Sequence, residues 1–486
     1  MFKKKILIPL LLTFIVLLSF GLRLYKINSP LADHHSWRQS DTAAVARNFA
    51  KEGFDFFHPR IDNMAPLSSF SEGNKERLFM VEPPIYQTII LPFYKIFGVK
   101  ESLARLVSII FSLGAIIFLY LLVSKFTNRW IGLLSAFFMG VLPYSIFYSR
   151  TILPESLMLF TSIGMFYYFY RWIKEERKSL GIIAWIFVAT SLLLKVFPLF
   201  LLLPLVYLLY QKWGFAFIKQ KKIWIFFILA VIPLILWRIW VSQFPDGIPP
   251  FAWLFNQGGI RFRPAFFRWI FAERIGKLIL GYWGLPLLVL GLILKPFKKE
   301  GYFFHFWLAA FLIYVTVFAS GNVTHDYYQI PFIPIAAVFL AKGSWWLLTA
   351  SKKYFSRLLC YLSLTICVLL MIGFSWFEVR GFYLIQGGVD LAGMAVDELT
   401  AKDALVLTGD SNDATLLYNT NRHGWTGGHV SYFPNTMGTV QKVREMGGTV
   451  YVTTKFDGNS DFGREMLQAF QVIKETDQYI ILSLTQ

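Results

Sequence analysis

The sequence predicts an all-α polytopic membrane protein that ends in a small α/β domain outside the membrane. Three observations carry this. Of 486 residues, 56% are hydrophobic and only 16% charged, against roughly 25% charged in soluble globular chains. Apolar runs long enough to cross about 30 Å of hydrocarbon recur throughout residues 1–378. From 379 to 486 that pattern gives way to short apolar strands alternating with amphipathic helices.

The first run, 6–22, follows three lysines, and no small-residue cleavage site precedes Arg23 and Lys26. It reads as a span and not as a removed signal peptide. Further runs at 103–123, 130–148, 155–170, 180–194, 197–210, 223–241, 277–294, 303–319, 330–348 and 357–377 bring the expected count to eleven. A shorter run, 85–97, is broken by Pro92 and Lys95 and is placed at the interface. With that placement the dense Lys/Arg clusters at 125–129, 171–178, 212–222, 295–299 and 352–357 all fall inside, as the positive-inside rule requires. Segments 23–102, 149–154, 242–276, 320–329 and the tail from 379 then lie outside.

The charge count agrees with this layout. The chain carries 47 basic and 29 acidic residues, a net of +18. Eight basic and twelve acidic residues lie in 380–486, so 1–379 holds +22. Basic residues set between apolar runs mark cytoplasmic loops, and nucleic acid is excluded as a partner. Cys360 and Cys367 are seven positions apart in one apolar run. As a helix that is about 10 Å of rise, too far for a disulfide.

In the tail, 404–409, 449–454 and 479–484 have the pattern of buried strands, and 390–400, 436–446 and 464–470 that of helices. No G-x-G-x-x-G or phosphate-loop spacing occurs there, and the chain has no internal repeat. The expected division is a transmembrane domain over 1–378, with 23–102 as its first outer loop, and an extracytoplasmic α/β domain over 379–486.

Several polar residues fall on the predicted outer face. Asp33, His34, His35, Trp37, Arg38, Gln39 and Asp41 crowd together ahead of a helical spacing of Ala43, Ala46, Phe49 and Ala50. That helix is expected to lie along the membrane surface with Asp41 near its N-terminus, where the dipole stabilises a carboxylate. An ordinary N-cap in a solvated loop accounts for Asp41 alone; the density of the cluster points to a general base, a metal site, or both. Glu82 precedes Pro83 and Pro84, and Glu155 follows Pro154, at boundaries where a carboxylate is costly unless paired or functional. An acidic residue opening a helix after proline is the plainer account of Glu155. Lys195 stands at the outer tip of a helical hairpin, where it either snorkels or holds a phosphate as a point charge. Arg261, Arg263, Arg268 and Arg274 collect among aromatic residues on the side where positive charge is disfavoured. That exception requires an anionic partner, either a specific phosphate or anionic lipid held without specificity. Ahead of the run at 330, an aromatic belt explains Tyr327 and Tyr328 but not His325 and Asp326.

Taken together, these segments resemble one family. S-D-T-A-A-V-A-R-N-F at 40–49, E-P-P at 82–84, F-G-V-K-E-S-L-A-R-L at 97–106, R-x-x-x-P-E at 150–155, L-L-L-K-V-F-P at 192–198 and H-D-Y-Y-Q-I-P-F-I-P at 325–334 are its carriers. They are similar to the integral-membrane GT-C glycosyltransferases of family 39, the protein O-mannosyltransferase and aminoarabinose-transferase type. The likeness covers roughly residues 1–350, and L-L-Y-N-T-N-R-H-G-W at 416–425 resembles a segment in the outer domains of bacterial members. Two departures stand out. The family's Asp-Glu pair in the first loop is replaced by Asp33-His34 and a separate Asp41, and its K-P-P is E-P-P at Glu82.

The resemblance implies a GT-C fold of eleven to thirteen helices and a polyprenyl-phosphate-linked sugar donor. Transfer would go to a glycan, lipid or protein acceptor on the periplasmic or extracellular side of the plasma (inner) membrane, with the N-terminus cytoplasmic. It implies Asp41 as general base with Asp33 in reserve, and Arg38, Lys195, Arg261, Arg263 and Arg268 on the donor phosphate. His34, His35, Glu82, Glu155, His325 and Tyr328 would line the sugar or acceptor. The resemblance names no cofactor with certainty, and a divalent metal ion, with Asp33, His34 and Glu155 as its ligands, is the alternative use of those residues. The competing class is a transporter or flippase of a lipid-linked saccharide, which predicts inverted repeats and midplane charges that the sequence lacks.

Overall fold

The computed structural model describes residues 2–68, 73–354, 356–410, 413–428 and 432–485. The side chains of Lys3, Lys4, Lys5, Lys352 and Lys353, part of the inside-charge count, lie outside the described residues. Two compact units are assembled from interleaved stretches: Met1–Ile27, Leu106–Trp237 and Phe251–Gly381 form the first, Asn28–Arg105, Arg238–Pro250 and Phe382–Gln486 the second.

The first unit is helical. Each apolar run expected to cross the membrane contains helix, and among the described residues six helices are long and apolar enough to do so: Ile6–Arg23, Glu101–Phe126, Phe197–Lys219, Lys221–Val241, Phe332–Thr349 and Arg357–Tyr383. Arg129–Val141, Lys178–Leu194 and Phe303–Val317 are shorter apolar helices. Two runs are broken where the backbone demands it. Leu142 is extended ahead of Pro143, which opens the separate helix Pro143–Tyr148. Between the wide i→i+5 helix Arg268–Ile279 and the helix Leu285–Ile293, Gly281 turns left-handed at φ +49°, and a Cβ there would meet the Met371 carbonyl at 2.5 Å. Leu285–Ile293 packs directly on Phe332–Tyr354. A Cβ on Gly291 would lie 1.8 Å from the Phe339 carbonyl, and one on Gly343 2.2 Å from that of Leu287. Small residues at such a crossing bring backbones together where no water is available to drive association.

Buried charges in this unit are matched. Arg23, wholly buried, donates to the carbonyls of Ser19 (3.0 Å) and Gly140 (2.8 Å), fastening the first helix to Arg129–Val141. Lys342, in the middle of an apolar helix, pairs with buried Glu300 at 2.6 Å.

The second unit is built on a five-stranded sheet in the order β2-β1-β3-β5-β4. Here β1 is Leu405–Thr408, β2 Gly424–Thr426, β3 Gly448–Thr453, β4 Gln471–Glu475 and β5 Ile480–Ser483. β1 runs parallel to both β2 and β3, and β5 joins β3 and β4 antiparallel. Helices Val389–Leu399 and Thr415–Asn419 cover one face, and Met437–Glu445 and Asp461–Ala469 the other. The three strands and three helices expected in the tail are all present. β2, β4 and Thr415–Asn419 were not anticipated.

The stretch Asn28–Arg105 belongs to the same unit. Ala32 enters one core and Ala65 the other. Around Asn63 the chain adds to the sheet beyond β2, Met64 N–H donating to the Gly424 carbonyl (2.7 Å) and Gly424 N–H to that of Asp62 (3.1 Å). The open edge of β2 is thereby paired. The surface helix runs Ser36–Lys51, several residues earlier than its apolar spacing suggests, and the interfacial helix is Ile85–Phe97.

Candidate active site

In the second unit the cluster of residues 33–41 is set by a turn at His35, whose backbone is left-handed (φ 54°) and starts the helix Ser36–Lys51 without a side-chain cap. Asp41 is thus in the second turn and not at the N-terminus, so the expected dipole stabilisation of its carboxylate does not apply. Its surroundings act the other way. Asp41 is half-buried and has no hydrogen-bond or ion-pair partner among the described residues. Burial pushes its carboxyl up to about 7, offset in part by the Arg38 charge and reinforced by Asp413 and Asp62.

The neighbouring groups are committed. Buried Asp33 accepts from Gln39 Nε2 at 2.9 Å and faces Arg105 at 4.0 Å, while Arg105 also donates to the carbonyls of Ser29 and Pro30. Arg38 pairs with Glu82 at 2.6 Å, hydrogen-bonds Thr42 Oγ1 at 3.3 Å and lies over the Phe79 ring. The His34 ring stacks on Phe382 at 3.9 Å and meets His35 at 4.1 Å; Trp37 Nε1 donates to His35 Nδ1 at 3.3 Å.

In the first unit, Lys195 ends the helix Lys178–Leu194 in extended conformation and reaches Glu155, the first residue of the helix Glu155–Glu175, at 3.4 Å. The second oxygen of Glu155 is buried with no hydrogen-bond partner among the described residues. Asp326 accepts from the Tyr148 hydroxyl and faces Arg274 at 3.8 Å, and its carbonyl accepts from Tyr144 at 2.5 Å. His325 sits edge-on to Trp253 (5.5 Å) and Tyr328 edge-on to Phe197 (5.2 Å). The four arginines differ in what they do. Arg261 donates to the carbonyls of Val317 (2.9 Å) and Phe255 (3.4 Å), Arg274 to that of Val323 (3.1 Å), and Arg263 and Arg268 are exposed, the latter beside Glu273.

The ligand set Asp33, His34 and Glu155 is poorly suited to a divalent ion. Asp33 is held by the Gln39 amide and faces the Arg105 guanidinium, and Glu155 faces the Lys195 ammonium. A cation beside each carboxylate opposes a second one.

Comparison with known proteins places the architecture. Over nearly its whole length (98% of each chain) the protein superposes on the crystal structure of ArnT from Cupriavidus metallidurans bound to undecaprenyl phosphate, with TM-score 0.63 and 13% identity. The chain has the GT-C fold. It also matches the archaeal oligosaccharyltransferase AglB from Archaeoglobus fulgidus in complex with an inhibitory peptide and a dolichol-phosphate, with TM-score 0.61 and 11% identity over 93% of this chain and 70% of that one. A complex of the Archaeoglobus fulgidus oligosaccharyltransferase with Zn and sulfate gives TM-score 0.54 and 11% identity over 91% and 68%. The family described as dolichyl-phosphate-mannose-protein mannosyltransferase matches residues 81–240, about a third of the chain. No curated protein matches it in sequence. The family resemblance read from the motifs is borne out, and the GT-C chain is a multi-pass membrane protein.

Within this GT-C chain two of the motifs turn out to bind each other. Arg47 and Asn48 of the 40–49 motif hold the buried carboxylate of Asp62, and Arg47 also donates to the carbonyl of Tyr418 in the 416–425 motif. The Tyr418 hydroxyl donates to Glu101 at 2.9 Å, in the 97–106 motif. Although burial alone would raise it, Arg47 and His423 hold the Asp62 carboxyl below its ordinary value. Sequence reasoning passed over Tyr144, Tyr148 and Arg105. The tyrosines carried one usable signal, an i, i+4 spacing directly after Pro143 that puts both rings on one helix face.

Proposed function

We propose that the chain is an integral-membrane glycosyltransferase that moves a sugar from a polyprenyl-phosphate donor to an acceptor hydroxyl on a lipid, glycan or protein, with inversion at the anomeric carbon. Asp41 carries the reading. It is the carboxylate of its cluster without a partner, poised near neutrality, where a general base is most effective. The lipid phosphates in the names of the ArnT and AglB complexes support the donor class.

In the proposed step the acceptor hydroxyl passes its proton to the Asp41 carboxylate while its oxygen bonds to the anomeric carbon. The bond from that carbon to the donor phosphate breaks, its electron pair leaving on the polyprenyl phosphate. Asp33, tied to Gln39 and Arg105, positions the His35 turn and remains the reserve base. Lys195, Arg261, Arg263 and Arg268 are assigned to the departing phosphate, where fixed positive charge contributes most; Arg38 joins them with Glu82 balancing its charge. His34, His35, Glu155, His325 and Tyr328 are assigned to the sugar and acceptor. The inside placement of the Lys/Arg clusters supports an inner-membrane protein with a cytoplasmic N-terminus and outward-facing chemistry.

The test is a single-turnover assay of the purified chain with polyprenyl-phosphate-linked sugars, reading release of free polyprenyl phosphate. Wild type releases it in an acceptor-dependent way and Asp41→Asn does not. Full activity in Asp41→Asn rejects the base assignment, and movement of intact donor across a vesicle without release marks a flippase.

A further inference from the structure

Within the first unit, a cavity of 740 Å³ opens between the helices Glu155–Glu175, Lys178–Leu194 and Lys221–Val241. It lies at the end of the Glu155–Glu175 helix opposite Glu155. Trp172 in its wall is seventeen residues further on, about 25 Å along the axis, so the cavity is separate from the Glu155–Lys195 pair. Its walls are apolar and aromatic: Trp172 and Phe226 stack at 4.8 Å, and Trp185 and Trp213 complete them. Its rim is cationic. Lys178 and Lys222 line it, and neither has a hydrogen-bond or ion-pair partner among the described residues. Lys212 and Lys222 both lie over the Trp213 ring, at 4.3 and 5.4 Å. The single carboxylate at the rim, Glu176, is already paired with Lys212 at 2.6 Å. The indole N–H of Trp185 is buried and unpartnered among the described residues.

A greasy cavity between membrane helices, wide enough for acyl chains and rimmed by more ammonium groups than carboxylates, suits an amphiphile with an anionic head. We propose that it binds one anionic phospholipid, the headgroup phosphate on Lys178 and Lys222 and the acyl chains against Trp172, Trp213 and Phe226. The apolar walls favour a lipid over free phosphate, which would leave them empty. Gly181 makes room for this wall, since a Cβ there would come within 2.7 Å of the Trp172 indole nitrogen. The positive-inside rule alone explains why lysines are on this side but not why two of them flank a cavity.

The experiment uses the full chain in phosphatidylcholine nanodiscs doped with phosphatidylglycerol, reading retained lipid by native mass spectrometry. Wild type is expected to keep one phosphatidylglycerol, undisturbed by millimolar inorganic phosphate. A Lys178→Gln, Lys222→Gln double variant should weaken retention about thirtyfold, the factor two ammonium groups near a surface are worth. Ile182→Trp fills the apolar part without touching either lysine, and should also reduce retention. Both variants should unfold at the wild-type temperature. Equal retention in either variant, equal retention of phosphatidylcholine, or displacement by phosphate overturns the proposal.

Discussion

The guanidinium of Arg47 lies over the ring of Tyr418, 4.1 Å from its centroid, and donates to that residue's own carbonyl at 2.8 Å while its other arm holds the Asp62 carboxylate. One side chain thus joins two stretches of chain 371 residues apart. Removing it leaves the buried Asp62 carboxylate only Asn48 and His423, and breaking a buried pair in this way typically costs about 3–5 kcal/mol. Arg47→Ala should lower the unfolding temperature of the second unit and expose 416–425 to protease. Arg47→Lys should recover little, since an ammonium cannot replace the fork or the stacked plane. Unchanged protection in Arg47→Ala would show that the contact is dispensable.

Asp41 gives a prediction whose activity and stability arms point in opposite directions. As a base it must be ionised, so transfer should fall as pH drops below about 7. Its folded-state value lies above the ordinary 3.8, so the folded protein holds the proton more tightly than the unfolded chain. Asp41 therefore costs stability increasingly as pH rises from 3.8 towards 7. Asp41→Asn is expected to be inactive yet more stable than wild type at pH 8, measured by thermal unfolding beside turnover. A variant both inactive and less stable would point to a structural role.

Lys195 and Glu155 separate a phosphate grip from a simple ion pair. Lys195→Ala should reduce donor turnover about a hundredfold or more, whereas Glu155→Gln keeps the ammonium and should lose less. If the two substitutions are equivalent in donor KM and kcat, the pair is structural.

Tyr148 supplies a hydroxyl to the Asp326 carboxylate, beside Arg274. Tyr148→Phe deletes that bond without changing shape, at a cost of about 1.5–3 kcal/mol for a charged acceptor. The variant should melt earlier even though the separate bond from Tyr144 to the Asp326 carbonyl is kept. Wild-type melting in Tyr148→Phe would count against the bond.

Sidedness can be read directly. Ser320 is buried, its hydroxyl accepting from Gln257 N–H at 2.6 Å, and is a poor place for a label. Arg263, on the stretch assigned to the same side, is exposed. Arg263→Cys should react with an impermeant maleimide in intact cells, and protection until lysis would reverse the assigned orientation.

The helices of the first unit were legible because apolar length is a strong signal, and Lys195 and Glu155 stood out because charge at a membrane boundary is rare. Elements stabilised from a distance were not. β4 is exposed except at half-buried Ile473 and so shows no alternation, and β2 is three residues long with Gly424 at its start. The helix Ser36–Lys51 begins with polar residues that its buried side alone explains. The motifs at 40–49 and 416–425 were recognisable as text, but that they exist to hold each other could not be seen without the fold. That Asp33 is held by Gln39 and faces Arg105 could not be read from the sequence either, since Arg105 comes from another helix altogether.

The second unit is sewn from three pieces of chain, the last of which supplies every strand of its sheet. A ribosome feeding this chain into a membrane makes the first piece, then the intervening helices, and the strand-bearing stretch only after them. Until β1 to β5 arrive, Arg47 and Asp62 wait without Tyr418, and the surface helix bearing Asp41 has no sheet to rest on. The part of this unit that is made first therefore takes its final packing only after residues 371 positions further along the chain have followed.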